Sequence, residues 1–341
     1  MKTPVDIGLN AVIVAVTDEV PRILTVKKSS YLPGFSKKRR SAGDSTRDAL
    51  PFGPLDPSSD QTLERALRQW VREQTGLELG YVEQLYTFAD RNRFSREWKG
   101  SPRMISIAYL ALVREVKPSG ASESEWVDWY RFFPWEDWRT GRPAAIDQPI
   151  APALIRWVRD APVDSGRRQR RERIDISFGL GGVPWNGELV LERYELLYEA
   201  GLAAEAIYDH APKAVRPVGN QEPKQYAGVH VGQPMAFDHR RILATALGRL
   251  RGKIKYRPVV FELLPPTFTL WQLQRLVEAL SGVRLHKQNL RRLLEKGGLV
   301  EGTGRLDAST GGRPAELFRF RRDVLRERPA PGVGLPGLRQ S

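Results

Sequence analysis

The 341-residue chain carries 54 Lys and Arg against 40 Asp and Glu, a formal charge of +14, with 41% hydrophobic residues and nine Trp. That balance excludes wholesale disorder, leaves room for two or three globular domains and favours an anionic partner such as nucleic acid. No Cys is present and the four His stand at 210, 230, 239 and 286, which excludes disulfides, thiolate zinc sites, cysteine nucleophiles and any His-dependent triad within the first 200 residues. No run of about 18 apolar residues appears, and Asp6 and Asn10 break up the start, where a signal peptide would be basic and then apolar. A cytoplasmic protein with no membrane partner is expected.

In chain order, "DIGLNAVIVAV" and "RILTVKK" predict two strands joined by the turn "TDEVP". The Gly/Pro-rich stretch 32–60 predicts loop. In "QTLERALRQWVREQTG" the apolar positions 63, 66, 67, 70 and 71 share one helical face, and Gly76 supplies the stop. A strand around "VEQLYTFAD", a charged loop "RNRFSREWKGSPR" and the strand "MISIAYLALVREV" complete a mixed α/β domain over residues 1–140.

Residues 141–235 read as an extension and linker of unknown role. "RRQRRER", Arg167–Arg173, is first a solvated helix face or loop, with phosphate binding as the alternative. "ELVLERYELLYEAGLAAEA" predicts a helix ending near Gly201, and residues 211–235 read as linker. Just upstream, "EWVDWYRFFPWEDW" places Trp126, Trp129, Trp135 and Trp138 close together, as core or domain interface, with an exposed RNA-stacking surface as the alternative. Residues 236–328 predict three helices, the second capped by Thr269, followed by a hairpin with a basic, Gly-rich tip, the pattern of a winged helix-turn-helix. Residues 239–322 hold 18 Lys and Arg against 6 Asp and Glu, nearly all of the excess charge. The tail 329–341 reads as disordered; its "GVGLPG" fits GxGxxG but has no strand before it, and "GRLRGK" at 248–253 is one residue short of a P-loop.

The first domain resembles Nudix proteins. Their signature runs Gly, five residues, Glu, seven residues, Arg-Glu-apolar-x-Glu-Glu-x-Gly-apolar, and anchoring it on Gly76 and Leu77 puts Val71 at the apolar position. Leu55, Gln61, Gln69, Trp70 and Gln74 then replace Gly, Glu, Arg, Glu and Glu, and Glu73 survives. One carboxylate leaves a Mg²⁺ held mainly by water, so hydrolysis is not expected and no metal or cofactor is required. Asp56 and Asp60 are candidate replacement ligands, or simply turn residues. Trp70 shares a face with Leu63, Leu67 and Val71 and reads as core filler, and Glu73 as a surface acid.

The C-terminal strings "FELLP", "FTLWQLQ", "HKQNLRRLLEKGG" and "GGRPAELFRF" resemble the winged-helix domain of the Nudix-related transcriptional regulators of NAD metabolism, in their longer proteobacterial branch. The resemblance implies an α+β chain: an N-terminal Nudix-like mixed α/β sandwich, a central extension and a C-terminal winged helix-turn-helix. It implies a homodimeric repressor of NAD biosynthesis genes that binds double-stranded operator DNA and senses an NAD-related nucleotide, with ADP-ribose, NAD or ATP as effector. The alternative is an active Nudix pyrophosphohydrolase on ADP-ribose-like substrates that also binds DNA. Independently, His286, Lys287, Gln288, Asn289, Arg291, Arg292 and Lys296 give the third helix a base- and phosphate-reading face, reinforced by Arg305 and Arg313 of the wing, while Leu290, Leu293 and Leu294 should face the core. For the nucleotide the candidates are Glu73 and the loop cations Lys37, Arg39, Arg40, Arg91 and Arg93, with ordinary surface charge as the plainer reading.

Overall fold

The computed structural model describes residues 5–27, 47–89, 103–120, 123–206, 231–308, 314–328 and 331–333. Strand β1 (Val5–Thr17) turns through Asp18 and Glu19 into β2 (Val20–Lys27). Both turn residues hold positive φ, 51° and 61°, as tight two-residue hairpins require. The stretch expected as loop contains two short strands, β3 (Asp48–Ala49) on β2 and β4 (Phe52–Pro54) on β1. The reason is length: β1 spans 13 residues and β2 only 8, so the first half of β1 has an edge that β2 cannot pair, and β4 fills it. Helix α1 (Leu63–Thr75) follows, then β5 (Tyr81–Phe88), β6 (Arg103–Leu112) and β7 (Ser124–Asp128). The sheet order is β3-β2-β1-β6-β5, with β4 also on β1 and β7 on β2; β1 and β6 run parallel.

Alternation along β1 divides the core. Leu9, Ala11, Ile13 and Ala15 join Ala66, Leu67 and Val71 of α1 on one face. Val12 and Val14, with Ala108, Leu110 and Leu112 of β6, face the other way. An irregularity in β5 between Gln84 and Thr87 shifts its phase, so that Leu85 and Phe88 both reach this second face.

The cover of the second face is drawn from segments on both sides of the expected limits at 140/141 and 235/236. Two 3-10 turns, Trp129–Arg131 and Pro134–Glu136, lead into α2 (Ala151–Arg159), α3 (Asp164–Phe178) and α4 (Val190–Glu199). Trp129 and Trp135 are fully buried and belong to the same core as Val12 and Leu110, which bears out the core reading of these two rings. Helix α5 (His239–Tyr256), expected in the winged helix, packs on β1, β5 and β6 as the second layer of the sandwich. Glu136 joins the pieces: it is buried between Arg193 of α4 and Arg251 of α5, both buried as well. Burial works to raise its pKa, but the two guanidinium charges outweigh that and hold the carboxyl below its usual value. The basic run at 167–173 lies in α3, where Arg167 pairs with Asp164, Arg171 with Asp175 and Arg173 with Glu199, while Arg170 lies over the Trp157 ring.

The winged helix consists of β8 (Phe268–Thr269), α6 (Leu270–Ser281), α7 (Lys287–Gly297), β9 (Val300–Asp307), β10 (Ala315–Phe320) and the short α8 (Val324–Glu327). Its sheet runs β8-β10-β9. Thr269 and Gln272 form a capping box on α6. Within the expected disordered tail, Pro331–Val333 instead pack on α5, where Val333 N–H donates to Ile254 O at 2.9 Å; the rest of 329–341 lies outside the described residues.

Candidate nucleic-acid interface and ligand site

Helix α7 buries Leu290 and Leu294 against the core, at 3% and 1% exposure. Leu293, expected beside them, is only half-buried. The helical repeat then leaves Lys287, Gln288, Asn289, Arg291, Arg292 and Lys296 exposed, with His286 exposed at the N-cap. Arg291 pairs with Glu295 at 2.8 Å, one turn away. Arg305 is exposed on β9, next to Leu306 at 64% exposure; Arg313 lies outside the described residues.

The sheet domain holds the helix-turn-helix from behind. Tyr130 Oη donates to Ala279 O at 2.7 Å and Trp138 N–H to Gly282 O at 2.6 Å. Burial pushes the Tyr130 hydroxyl up to about 12, so it stays a donor. Gly282 is required here: its φ is 74°, and a Cβ would stand 2.3 Å from Glu136 O. Glu278, at 1% exposure, accepts from Gln274, Arg275, Arg284 and the Leu285 N–H. Burial opposes its ionisation, yet these donors keep the carboxyl below its usual value.

On α1 the polar side chains are engaged within the chain. Trp70 lies on Gly53, where a Cβ would come within 2.3 Å of the ring, and its Nε1 donates to Pro54 O at 2.8 Å. Gln74 is buried and brackets Phe52, donating to its carbonyl at 2.7 Å and accepting from its N–H at 3.3 Å. Gln69 donates to Glu73, whose side chain faces solvent. Asp56 accepts from Ser58 Oγ, Ser58 N–H and Ser59 Oγ, bonds that hold its carboxyl down at about 2 and mark it as a turn residue. Among the described residues no three His, Cys, Asp or Glu converge as metal ligands would. Lys37, Arg39, Arg40, Arg91 and Arg93 lie outside the described residues.

Two polar residues that the sequence reading passed over stand out on the second face of the sheet. Asn10 is fully buried and, among the described residues, neither atom of its amide has a partner; Ser106 is 1% exposed and its hydroxyl has none there either. Register places Asn10 opposite Phe52 and Ala108, and Ser106 opposite Gly8. Phe52 belongs to a small cluster apart from the main core, with Val26, Ala49 and Ala236, against which Met104 and Phe237 pack. Phe237 holds φ at 56°, its ring 5.2 Å from that of His239, whose Nδ1 accepts from Leu50 N–H. The signal available in sequence was Asn10 itself, in phase with Val12 and Val14 of an otherwise apolar strand.

Comparison with known proteins now bears on these sites. Residues 260–320 match the NrtR DNA-binding winged helix domain. That segment is similar to the NrtR winged helix. An 86-residue stretch is 41% identical to the ADPR responsive transcriptional repressor NtrR of Acinetobacter baylyi, covering 25% of this chain and 34% of that protein. The match thus spans about a third of that relative's length. Over the whole chain the fold is that of Shewanella oneidensis NrtR, crystallised with a 27-mer DNA, at 19% identity, covering 94% of this chain and 95% of that one, TM-score 0.52. A MutT/nudix family protein from Enterococcus faecalis aligns at 14% identity, covering 94% and 88%, TM-score 0.50. The chain therefore has the fold of these proteins, an α/β sandwich followed by a winged helix, and its winged-helix segment is similar to that of NrtR.

Proposed function

We propose that this protein is a ligand-responsive transcriptional repressor of genes for NAD synthesis, which reads operator DNA through α7 and a nucleotide through its Nudix-like sandwich. The observation that carries the reading is the NrtR-type winged helix, whose α7 presents Lys287, Gln288, Asn289 and Arg292 to solvent with none of these side chains bonded to described residues. Asn and Gln read adenine, Arg reads guanine bidentately and Lys neutralises phosphate. A homodimer would set two such helices about one helical turn of DNA, or a multiple, apart. His286, Lys296, Arg305 and Arg313 belong to the same interface.

The responsiveness of the Acinetobacter baylyi repressor to ADPR supports ADP-ribose as first effector, with NAD and ATP after it. The residues present do not fit a metal-dependent pyrophosphatase site, since Trp70 and Gln74 are bonded to the β4 backbone and Glu73 is the acid left on that helix face. Binding without turnover follows, with no cofactor. For the ligand, Asn10 and Ser106 are the described residues we favour, as buried polar groups with no partner among the described residues, Asn10 lying opposite Phe52; Lys37, Arg39, Arg40, Arg91 and Arg93 remain candidates for its phosphates. Calorimetric titration of ADP-ribose, NAD and ATP, with and without operator duplex, tests the reading. One of them should bind below about millimolar and change operator affinity about 5–150-fold. Identical nucleotide affinity in both states would refute the sensor, and release of AMP with Mg²⁺ would restore the hydrolase alternative.

A further inference from the structure

The β1–β2 turn reaches the helix-turn-helix at its entry point. Glu19 holds a positive φ of 61°, an unfavourable backbone for a residue with a side chain, and its carbonyl accepts from Arg139 Nη1 at 2.6 Å. Its carboxylate lies 3.4 Å from Arg275 Nε and 3.6 Å from Arg284 Nη1. The same two guanidiniums contact the buried Glu278, at 2.9 and 2.7 Å. The two carboxylates differ in kind. Glu278 is enclosed within the winged helix and hydrogen-bonded on both oxygens. Glu19 comes from the sheet domain, is 35% exposed, and sits beyond hydrogen-bond length from Arg284, itself 47% exposed. Arg284 stands two residues before the N-cap of α7, the helix that the DNA-binding reading sets in the groove.

A carboxylate and a phosphodiester present the same charge and the same pair of acceptor oxygens to a guanidinium. We propose that Arg275 and Arg284 form a binding site for a DNA backbone phosphate, which Glu19 occupies as a phosphate mimic in the free protein. The proposal rests on the DNA-binding reading above. Docking of a duplex replaces Glu19 by phosphate while Glu278 keeps both arginines in place, so any movement of the β1–β2 turn changes how readily DNA binds. A purely structural Glu19 would brace the helix-turn-helix, and its loss would then weaken binding. The two roles predict opposite signs.

The test is anisotropy of a labelled random-sequence duplex with the full chain, across a salt series, because a phosphate contact acts on any sequence. Glu19→Gln should tighten binding about two- to five-fold, the range of an exposed ion pair, and Glu19→Ala should give the same sign. Arg284→Gln should weaken binding and flatten the slope of log K against log salt by about 0.9. With Arg275→Gln and Arg284→Gln combined, Glu19→Gln should add nothing. Unchanged or weakened binding in Glu19→Gln, when the wild type does bind, overturns the proposal alone. A wild type that binds no duplex refutes the DNA-binding reading and the proposal with it.

Discussion

Helices α1 and α7 are built alike and used differently. Each buries one apolar face, Leu67 and Val71 in the first, Leu290 and Leu294 in the second, and each ends at a left-handed Gly. On α1 the polar face is taken up by the chain itself: Arg68 bonds Glu64 and Leu79 O, Gln69 bonds Glu73, Trp70 bonds Pro54 O and Gln74 brackets Phe52. On α7, Lys287, Gln288, Asn289, Arg292 and Lys296 make no side-chain hydrogen bond to described residues. A polar group already bonded inside the fold contributes to stability, and one left exposed at a docking surface is available to a partner. Substitutions on the two kinds of surface should therefore separate cleanly into losses of folding and losses of binding.

The sharpest case of internal use is Glu136, and it should give the largest effect. Glu136→Gln keeps the shape but leaves Arg193 and Arg251 buried without a counter-charge, which should cost about 3–5 kcal/mol in urea unfolding. The pH dependence has a definite sign. Since the folded carboxyl sits below its ordinary 4.5, the stabilisation is complete above that pH and is lost as pH falls through the folded value. A variant as stable as wild type would show that the triad contributes nothing net.

On α7, Asn289→Ala and Arg292→Ala should each cost about 1–3 kcal/mol of operator binding if they contact bases, more on operator than on random duplex, with unfolding unchanged. Loss of stability instead would break the contrast between the helices. On α1 the contrast predicts that Gln74→Glu, which restores the acid of the Nudix pattern, sets a carboxylate against the Phe52 carbonyl in a buried site and costs about 2 kcal/mol of stability without producing pyrophosphate hydrolysis. Metal-dependent AMP release by that variant would show that the site is one carboxylate short of activity.

Much of this architecture is written in local signals. Thr269, Gly76, Gly282 and Gly298 mark helix ends through backbone rules that need no tertiary context, and each sits where such rules place it. The exposed face of α7 follows from spacing alone. Long-range partners are what spacing does not encode. Nothing in "FGP" announces that it completes the edge of β1, and the run at α5 carries helical periodicity whether it covers a sheet or another helix. The use of Gln74 was equally hidden, because a loss of acid reads the same whether the replacement is idle or bonded. Lys37, Arg39, Arg40, Arg91 and Arg93, expected to meet a nucleotide, and Arg313 of the wing lie outside the described residues.

Asn10 offers the smallest effect and the most direct test of where the ligand sits. In most buried positions an amide side chain is bonded, because leaving it unbonded costs free energy. Asn10 has neither amide atom bonded to a described residue, in a strand whose neighbours on that face are Val12 and Val14. If its role were packing, Leu would serve better. Asn10→Leu should thus raise stability by about 1 kcal/mol, the desolvation regained being offset in part by the change of shape. If Asn10 instead waits for a ligand, the same substitution should weaken nucleotide binding while leaving basal operator affinity unchanged. Thermal unfolding with and without ADP-ribose reads both: the variant should melt higher than wild type alone and gain less from the nucleotide. A variant that melts higher and still gains as much as wild type would make Asn10 a buried polar group with no part in sensing.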